Sequence, residues 1–316
     1  NKDDSASNIT HGTWTFATDQ AFNPNDASTF ANLRNPIQFT ANYPPVYRDT
    51  KNSWFSTYVQ DEWRALSSLT VNVGVRYDLF YKSWNQDLDL KVFPRPIPFI
   101  NPSTRGDHNN IGPRAGIAWD VLQNGKTVVR AGAGKYFRNM FGVPFGAEQT
   151  NLRQASIRIT NPSYPDPYGG RSPLSFASTA PPNITVVDDR VQNPETNTYN
   201  AGLSQQITTN LALHVDGVYT QTKKDVESLN INTPDPVTKL RPYADWGRVV
   251  QTQSIGTSTY KALLVRLDKR YANRFLYLVS YTLSKTEGFP IGGTITDVFN
   301  RNLDNGPAGT DRRHML

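Results

Sequence analysis

Nine ionisable side chains stand where every second residue is mostly apolar or small: Arg76, Asp78, Arg114, Asp120, Arg130, His214, Asp216, Arg266 and Asp268. A period of two gathers such residues on one face of a β-strand and their neighbours on the other. Charges so placed can grip a polar partner by ion pairs and hydrogen bonds. They do not assemble covalent chemistry. The four histidines, His11, His108, His214 and His314, are far apart, and none has the His-Glu-x-x-His spacing of a zinc site. Ser254 to Ser258 (SIGTS) misses the spacing of a G-x-S-x-G nucleophile elbow. Ala131 to Gly134 (AGAG) reads as small residues on a strand where neighbours approach, not as a phosphate cradle. Cysteine is absent, which removes thiol catalysis, disulfides and Cys-zinc sites. Asp87 and Asp89, or Asp188 and Asp189, have the oxygen chemistry of a calcium loop, but loop solvation is the favoured account of them. The expectation is a protein that is not an enzyme and needs no cofactor.

The elements that position these residues come in four pairs. Each is two alternating runs joined by a short polar turn. The pairs are Trp54 to Trp63 with Leu69 to Tyr81; Arg114 to Leu122 with Thr127 to Phe137; Tyr199 to Ile207 with Leu211 to Tyr219; and Tyr260 to Tyr271 with Phe275 to Leu283. In the clearest run Leu69, Val71, Val73, Val75, Tyr77, Leu79 and Tyr81 share one face, against Thr70, Asn72, Gly74, Arg76 and Asp78 on the other. Such runs exceed the ~5–6 residues of a globular strand and match the ~9–11 of a tilted strand that crosses a membrane. Asn124-Gly125 predicts a tight hairpin with positive φ at both residues. The other turns are Ala65 to Ser68, Thr208 to Asn210 and Ala272 to Arg274.

Long Pro-rich segments follow each pair, all at the same end of the sheet: Lys82 to Asn110, Arg138 to Thr198, Thr222 to Val250 and Ser284 to Arg313. Loops beyond ~12–15 residues tend to carry function. Tyr164, Tyr168, Arg171, Tyr243 and Trp246 in them have the ring and guanidinium chemistry to stack on or hydrogen-bond an unknown small ligand. Before the first pair, Gly12 to Ala17 reads as a strand, and Asp26 to Leu33 as either a short helix capped by Asp26 or a turn.

Composition agrees with a wall between lipid and water. The hydrophobic fraction is 37% in 316 residues, low for a packed globular core. A barrel has a polar lumen and polar loops, so alternation keeps mean hydropathy low. No apolar run reaches the ~20 residues of a membrane helix. The net charge of +6 is spread along the chain and predicts no nucleic-acid partner. Trp54, Trp63, Tyr77, Tyr81, Trp119, Tyr136, Phe137, Tyr199, Tyr219, Tyr271 and Tyr281 flank the runs, as interfacial girdles do; the competing reading is a sandwich core. The predicted fold is all-β: an antiparallel up-and-down transmembrane β-barrel portion of about ten strands, with short periplasmic turns and long extracellular loops.

YVQDEW (Tyr58 to Trp63), LTVNVGVRYD (Leu69 to Asp78), NIGPRAGIAWD (Asn110 to Asp120), VVRAGAGKYF (Val128 to Phe137), NPETNTYNAGLSQQI (Asn193 to Ile207), STYKALLVRLDKRY (Ser258 to Tyr271), VSYTLSK (Val279 to Lys285) and DRRHML (Asp311 to Leu316) stand in this order along the chain. Together they resemble the barrel of TonB-dependent outer-membrane receptors, and more narrowly the Oar-like group. The resemblance implies location in the outer membrane of a Gram-negative bacterium and a barrel of 22 strands around an N-terminal plug. It also implies import of a siderophore, saccharide or peptide, driven by the TonB complex. The nine alternating charges would then face the lumen and hold the plug. On this reading residues 1–316 are one incomplete barrel domain, without plug, signal peptide or last strands. Two other functions fit the pattern: a surface β-protein that assembles through its strand edges as a fibre or adhesin, and a soluble β-rich hydrolase or carbohydrate-binding module. The surroundings of the apolar strand faces discriminate among the three.

Overall fold

The computed structural model of the chain describes residues 2–3, 11–17, 19, 23, 25–33, 36–44, 46, 50–92, 96–140, 143–272, 274–289 and 292–316. Eight long strands dominate it: β1 (Ser53–Leu66), β2 (Leu69–Tyr81), β3 (Asp107–Asp120), β4 (Thr127–Phe137), β5 (Glu195–Thr208), β6 (Leu211–Asn230), β7 (Val249–Ala272) and β8 (Phe275–Gly288). Each pairs antiparallel with its neighbours in chain order, so the sheet is an up-and-down meander. Three short strands complete it at eleven. Ile184–Val187 runs parallel to the start of β7, while Gly306–Pro307 and His314–Met315 pair with β8. The described sheet is open, with β1 at one edge.

Register carries the alternation across the sheet. One row runs Trp63, Val71, Ile117, Ala131, Ala201, Gly217, Leu263, Leu283, each directly opposite the next. The adjacent row runs Leu69, Trp119, Val129, Leu203, Val215, Val265, Tyr281 on the same face. Among the described residues nothing covers this apolar face. Val59 is 67% exposed, Val73 50% and Leu263 44%. The three buried apolar clusters lie in the loops, at the loop ends of long strands and in a small separate sheet. A soluble sandwich would bury this face against a second sheet. Its exposure here suits contact with hydrocarbon. Trp63, Trp119, Tyr199 and Tyr271, expected as girdle rather than core, are exposed.

The alternating runs end where the strands do not. β6 continues past Tyr219 to Asn230, β7 begins at Val249 rather than Tyr260, β3 begins at Asp107 and β5 at Glu195. Both faces of these extensions project beyond the apolar band, so no apolar code marks them. Of the turns, Ser67–Ser68 and Thr209–Asn210 are two-residue connections after bulged strand ends. In the turn after β3 positive φ falls on Gln123 and Gly125 rather than on Asn124 and Gly125. The Asp120 carboxylate accepts a hydrogen bond from the Gly125 amide at 2.7 Å and so selects a wider turn. The fourth turn includes Asn273, which lies outside the described residues, as do Phe93, Pro94 and Arg95 in the first Pro-rich loop and Pro290 and Ile291 in the last.

The remaining elements form a cap at the loop end. An α-helix (Val143–Arg153) and the short strand Ile184–Val187 sit among the loops. Thr13–Phe16, Pro36–Tyr43 and Ala155–Thr160 form a separate three-stranded sheet. The expected strand at Gly12 to Ala17 is thus present. The expected helix is a 3-10 helix (Ala27–Leu33), with Asp26 accepting from the Ser28 amide at 3.0 Å.

Candidate functional site: the polar face and the loop cap

Register places the nine alternating charges on the polar face of the sheet. Arg76 donates Nε to Asp78 Oδ2 at 2.9 Å and Nη2 to Asp78 Oδ1 at 2.9 Å, and Ser56 donates to the same carboxylate. Three strands contribute to a second group. Arg130 on β4 donates to Ser204 Oγ on β5 at 2.9 Å and faces Asp216 on β6 at 3.5 Å, while His214 Nδ1 lies 2.8 Å from the same Ser204 hydroxyl. Gly202 lies between Arg130 and Asp216 in register, and a Cβ there would stand 2.0 Å from Asp216 Oδ1. Only glycine leaves room for that carboxylate. Arg114 stacks over Tyr136, 4.7 Å from the ring centroid. Asp120 is spent on its turn. Arg266 lies opposite His214 and Asp268 opposite Ala212, and neither forms an ion pair among the described residues. Beside Arg114 a depression of about 290 Å³ is floored by Gly74, Gly116, Gly132 and Gly134.

The loop candidates divide between two places. Tyr164 packs edge-on against Trp14 at 5.2 Å, Tyr168 against Phe39 at 5.6 Å, and Arg171 lies over Phe176 at 4.3 Å. These three gather at the small three-stranded sheet. Tyr243 packs on Phe99 at 5.0 Å and Trp246 at 5.5 Å from the same ring. Trp246 is only 6% exposed and belongs to the cluster of Leu88, Ile100, Leu152, Ile184, Val186 and Val249. Its indole is a structural anchor of the cap in this conformation.

Sequence reading missed the centre of that cap. Arg105, fully buried, makes a bidentate pair with Glu148: Nη1 to Oε2 and Nη2 to Oε1, both at 2.7 Å. It also donates to the Trp84 carbonyl at 3.0 Å and the Val187 carbonyl at 2.6 Å. Glu148 in turn accepts from Asn85 at 2.9 Å and from the Val187 amide at 3.0 Å. One ion pair therefore ties the first loop, the helix and the short strand together. Near it Asp107 accepts from both nitrogens of Asn193, the amide at 2.8 Å and Nδ2 at 3.1 Å. The partners are 21 to 86 residues apart, so no spacing rule could pair them.

Glu227 on the β6 extension is a different case. It is 1% exposed, and neither carboxylate oxygen has a hydrogen-bond partner. The segment at Gly293–Ile295 lies along the strand there, with the Ser228 amide on the Gly293 carbonyl at 2.9 Å and the Ile295 amide on the Ser228 carbonyl at 2.7 Å. Burial pushes the Glu227 carboxyl up to about 7, the charges of Asp225 and Asp304 push the same way, and the nearby Gly293 amide, short of hydrogen-bond geometry, opposes them. The residue lies eight positions beyond Tyr219, outside the apolar band.

An open, up-and-down meander with a bare apolar face, a polar opposite face and a loop cap at one end defines the wall of a membrane β-barrel. The chain belongs to the outer membrane beta barrel domain family, whose model matches residues 1–316. No curated protein matches the chain in sequence. Among solved structures it is similar to the outer membrane transporter YddB from Escherichia coli, at 15% identity over 80% of this chain and 27% of that one, with a TM-score of 0.54. Looser likenesses are the FrpB iron transporter from Neisseria meningitidis (10% identity, 80% of this chain and 26% of that one, TM-score 0.42) and the siderophore receptor PiuA from Acinetobacter baumannii (11%, 82% and 27%, TM-score 0.40). The chain thus spans 27% of the YddB chain. Its place is the outer membrane of a Gram-negative bacterium.

Proposed function

We propose that this barrel wall belongs to a TonB-dependent importer, whose polar face lines the lumen around a plug and whose cap admits a small nutrient. One observation carries the reading most: the polar face is a connected network, Arg130–Ser204–His214 with Asp216, across three strands, beside a glycine-floored depression. Fixed charges and bare backbone offer a plug the ion pairs and close approach it needs. Arg76 with Asp78, Arg114, Arg266 and Asp268 extend that surface, and Asp120 marks its turn end. Ligand contact falls to Tyr164, Tyr168 and Arg171 at the rim, with Tyr243 and Trp246 reached only if the cap rearranges. The nutrient is of the siderophore, saccharide or peptide class.

The test uses the full-length protein in cells offered a mixture of those three classes. Depletion of one class that needs both the receptor and an energised TonB complex is the expected result. Depletion that persists without the TonB complex, or none at all, contradicts the proposal. The double variant R130A/D216A is expected to admit antibiotics too large for a plugged barrel, because it removes two of the charges that seat the plug.

A further inference from the structure

The outward face carries a groove of about 740 Å³ whose floor is Ala201 and Gly217 and whose walls include Tyr199, Tyr219 and Leu263. It lies within the apolar band and runs up to the loop end. At that end Tyr199, Tyr219, Lys261 and Lys285 form one row, each directly opposite the next. The tyrosine rings are 6.1 Å apart, and Lys261 Nζ lies 5.8 Å from the Tyr219 ring centroid. Arg313 borders the same groove.

Two lysines directly opposite each other on neighbouring strands repel, which costs stability unless an anion lies between them. Lys285 is paired with Glu287 and Arg313 with Asp311, whereas Lys261 has no carboxylate partner among the described residues. A cation without a carboxylate partner at the rim of a lipid-facing groove complements a ligand with phosphate above and hydrocarbon below. We propose that this groove binds a phosphate-bearing lipid of the outer leaflet, with the phosphate on Lys261 and Lys285 and an acyl chain over Ala201 and Gly217. The site rests on the lipid-facing assignment of this face and not on the import proposal, so lipid retention and uptake fail independently.

The experiment incorporates the full-length protein into phosphatidylcholine vesicles with and without lipid A, extracts it in mild detergent and measures retained lipid by native mass spectrometry. Wild type is expected to retain lipid A. K261Q/K285Q should bind it about 30-fold more weakly, which corresponds to about 1 kcal/mol per lysine at a membrane surface. K261R/K285R should retain it. Gly217→Leu keeps every charge and fills the groove, and a Cβ there meets only the Ala201 carbonyl at 3.8 Å, so the strand tolerates it. It should also lose the lipid. Folding of each variant is checked by heat-modifiable gel mobility. Unchanged retention in a folded K261Q/K285Q or Gly217→Leu variant overturns the proposal. Displacement of lipid A by inorganic phosphate alone also overturns it, since that would mark a bare anion site without an acyl groove.

Discussion

Arg105→Ala is expected to open the loop cap at a cost of about 3–5 kcal/mol, the usual penalty for stripping one partner from a buried ion pair. The cost comes from what remains behind. Glu148 is fully buried, and its two oxygens would lose both guanidinium bonds while keeping only Asn85 and the Val187 amide. The Trp84 and Val187 carbonyls would lose a donor as well. Hydrogen exchange should show the loss of protection confined to 82–106, 143–153 and 184–187, with the meander strands protected as before. R105M/E148M removes both charges together and should recover part of the loss, because Glu148 is then no longer a buried charge without its cation, although Asp189, 3.6 Å from Arg105 Nε, still loses its partner. If Arg105→Ala leaves exchange in these three segments unchanged, the pair is not what ties them.

The second large effect is a pH dependence set by Glu227. Its folded value of about 7 stands above the ordinary 4.5, so between those values the folded protein holds a proton that the unfolded chain releases. Stability is therefore full below about pH 4.5 and falls as pH rises towards 7, levelling above it. The total is about 3 kcal/mol from the size of the displacement. The loss should appear at the Gly293–Ile295 segment and its strand, because ionisation there leaves a carboxylate with no partner beside Asp225 and Asp304. Glu227→Gln keeps the shape without the charge. It should flatten the pH profile of urea unfolding in vesicles and make the protein more stable than wild type at pH 8. A slope that survives the substitution would assign the titration to another group.

Arg105 and Glu227 both lie in a part of the molecule that sequence patterning does not reach. The spanning segments were legible because lipid on one side and a polar interior on the other impose a period of two, visible at Leu69 to Tyr81 and at Leu211 to Tyr219. The same rule correctly put Arg130, His214 and Asp216 on one face, since register preserves parity across neighbouring strands. Above the band that constraint lapses. β6 and β7 continue for about half of their length with no apolar code, and their ends could be found only from pairing. The cap is less legible still. Trp246 reads as an exposed loop ring but packs with Leu88 and Val186, and Arg105 meets Glu148 across 43 residues. Such contacts are three-dimensional complementarity between loops, and a local spacing holds no record of them. The turn after β3 shows a third limit, where one side-chain bond from Asp120 displaced the tight turn that Asn124-Gly125 favours.

Every functional statement depends on which face of the meander meets lipid, and the chain allows that to be read directly. It has no cysteine, so single cysteines can be placed one at a time at 213 to 217 on β6 and 263 to 267 on β7 and spin-labelled in vesicles. Labels at Leu213, Val215, Gly217, Leu263, Val265 and Leu267 should be accessible to lipid-soluble oxygen and shielded from a water-soluble nickel chelate. Labels at His214, Asp216, Leu264 and Arg266 should show the reverse. Accessibility that does not alternate, or that alternates with the opposite phase, would contradict the barrel-wall account.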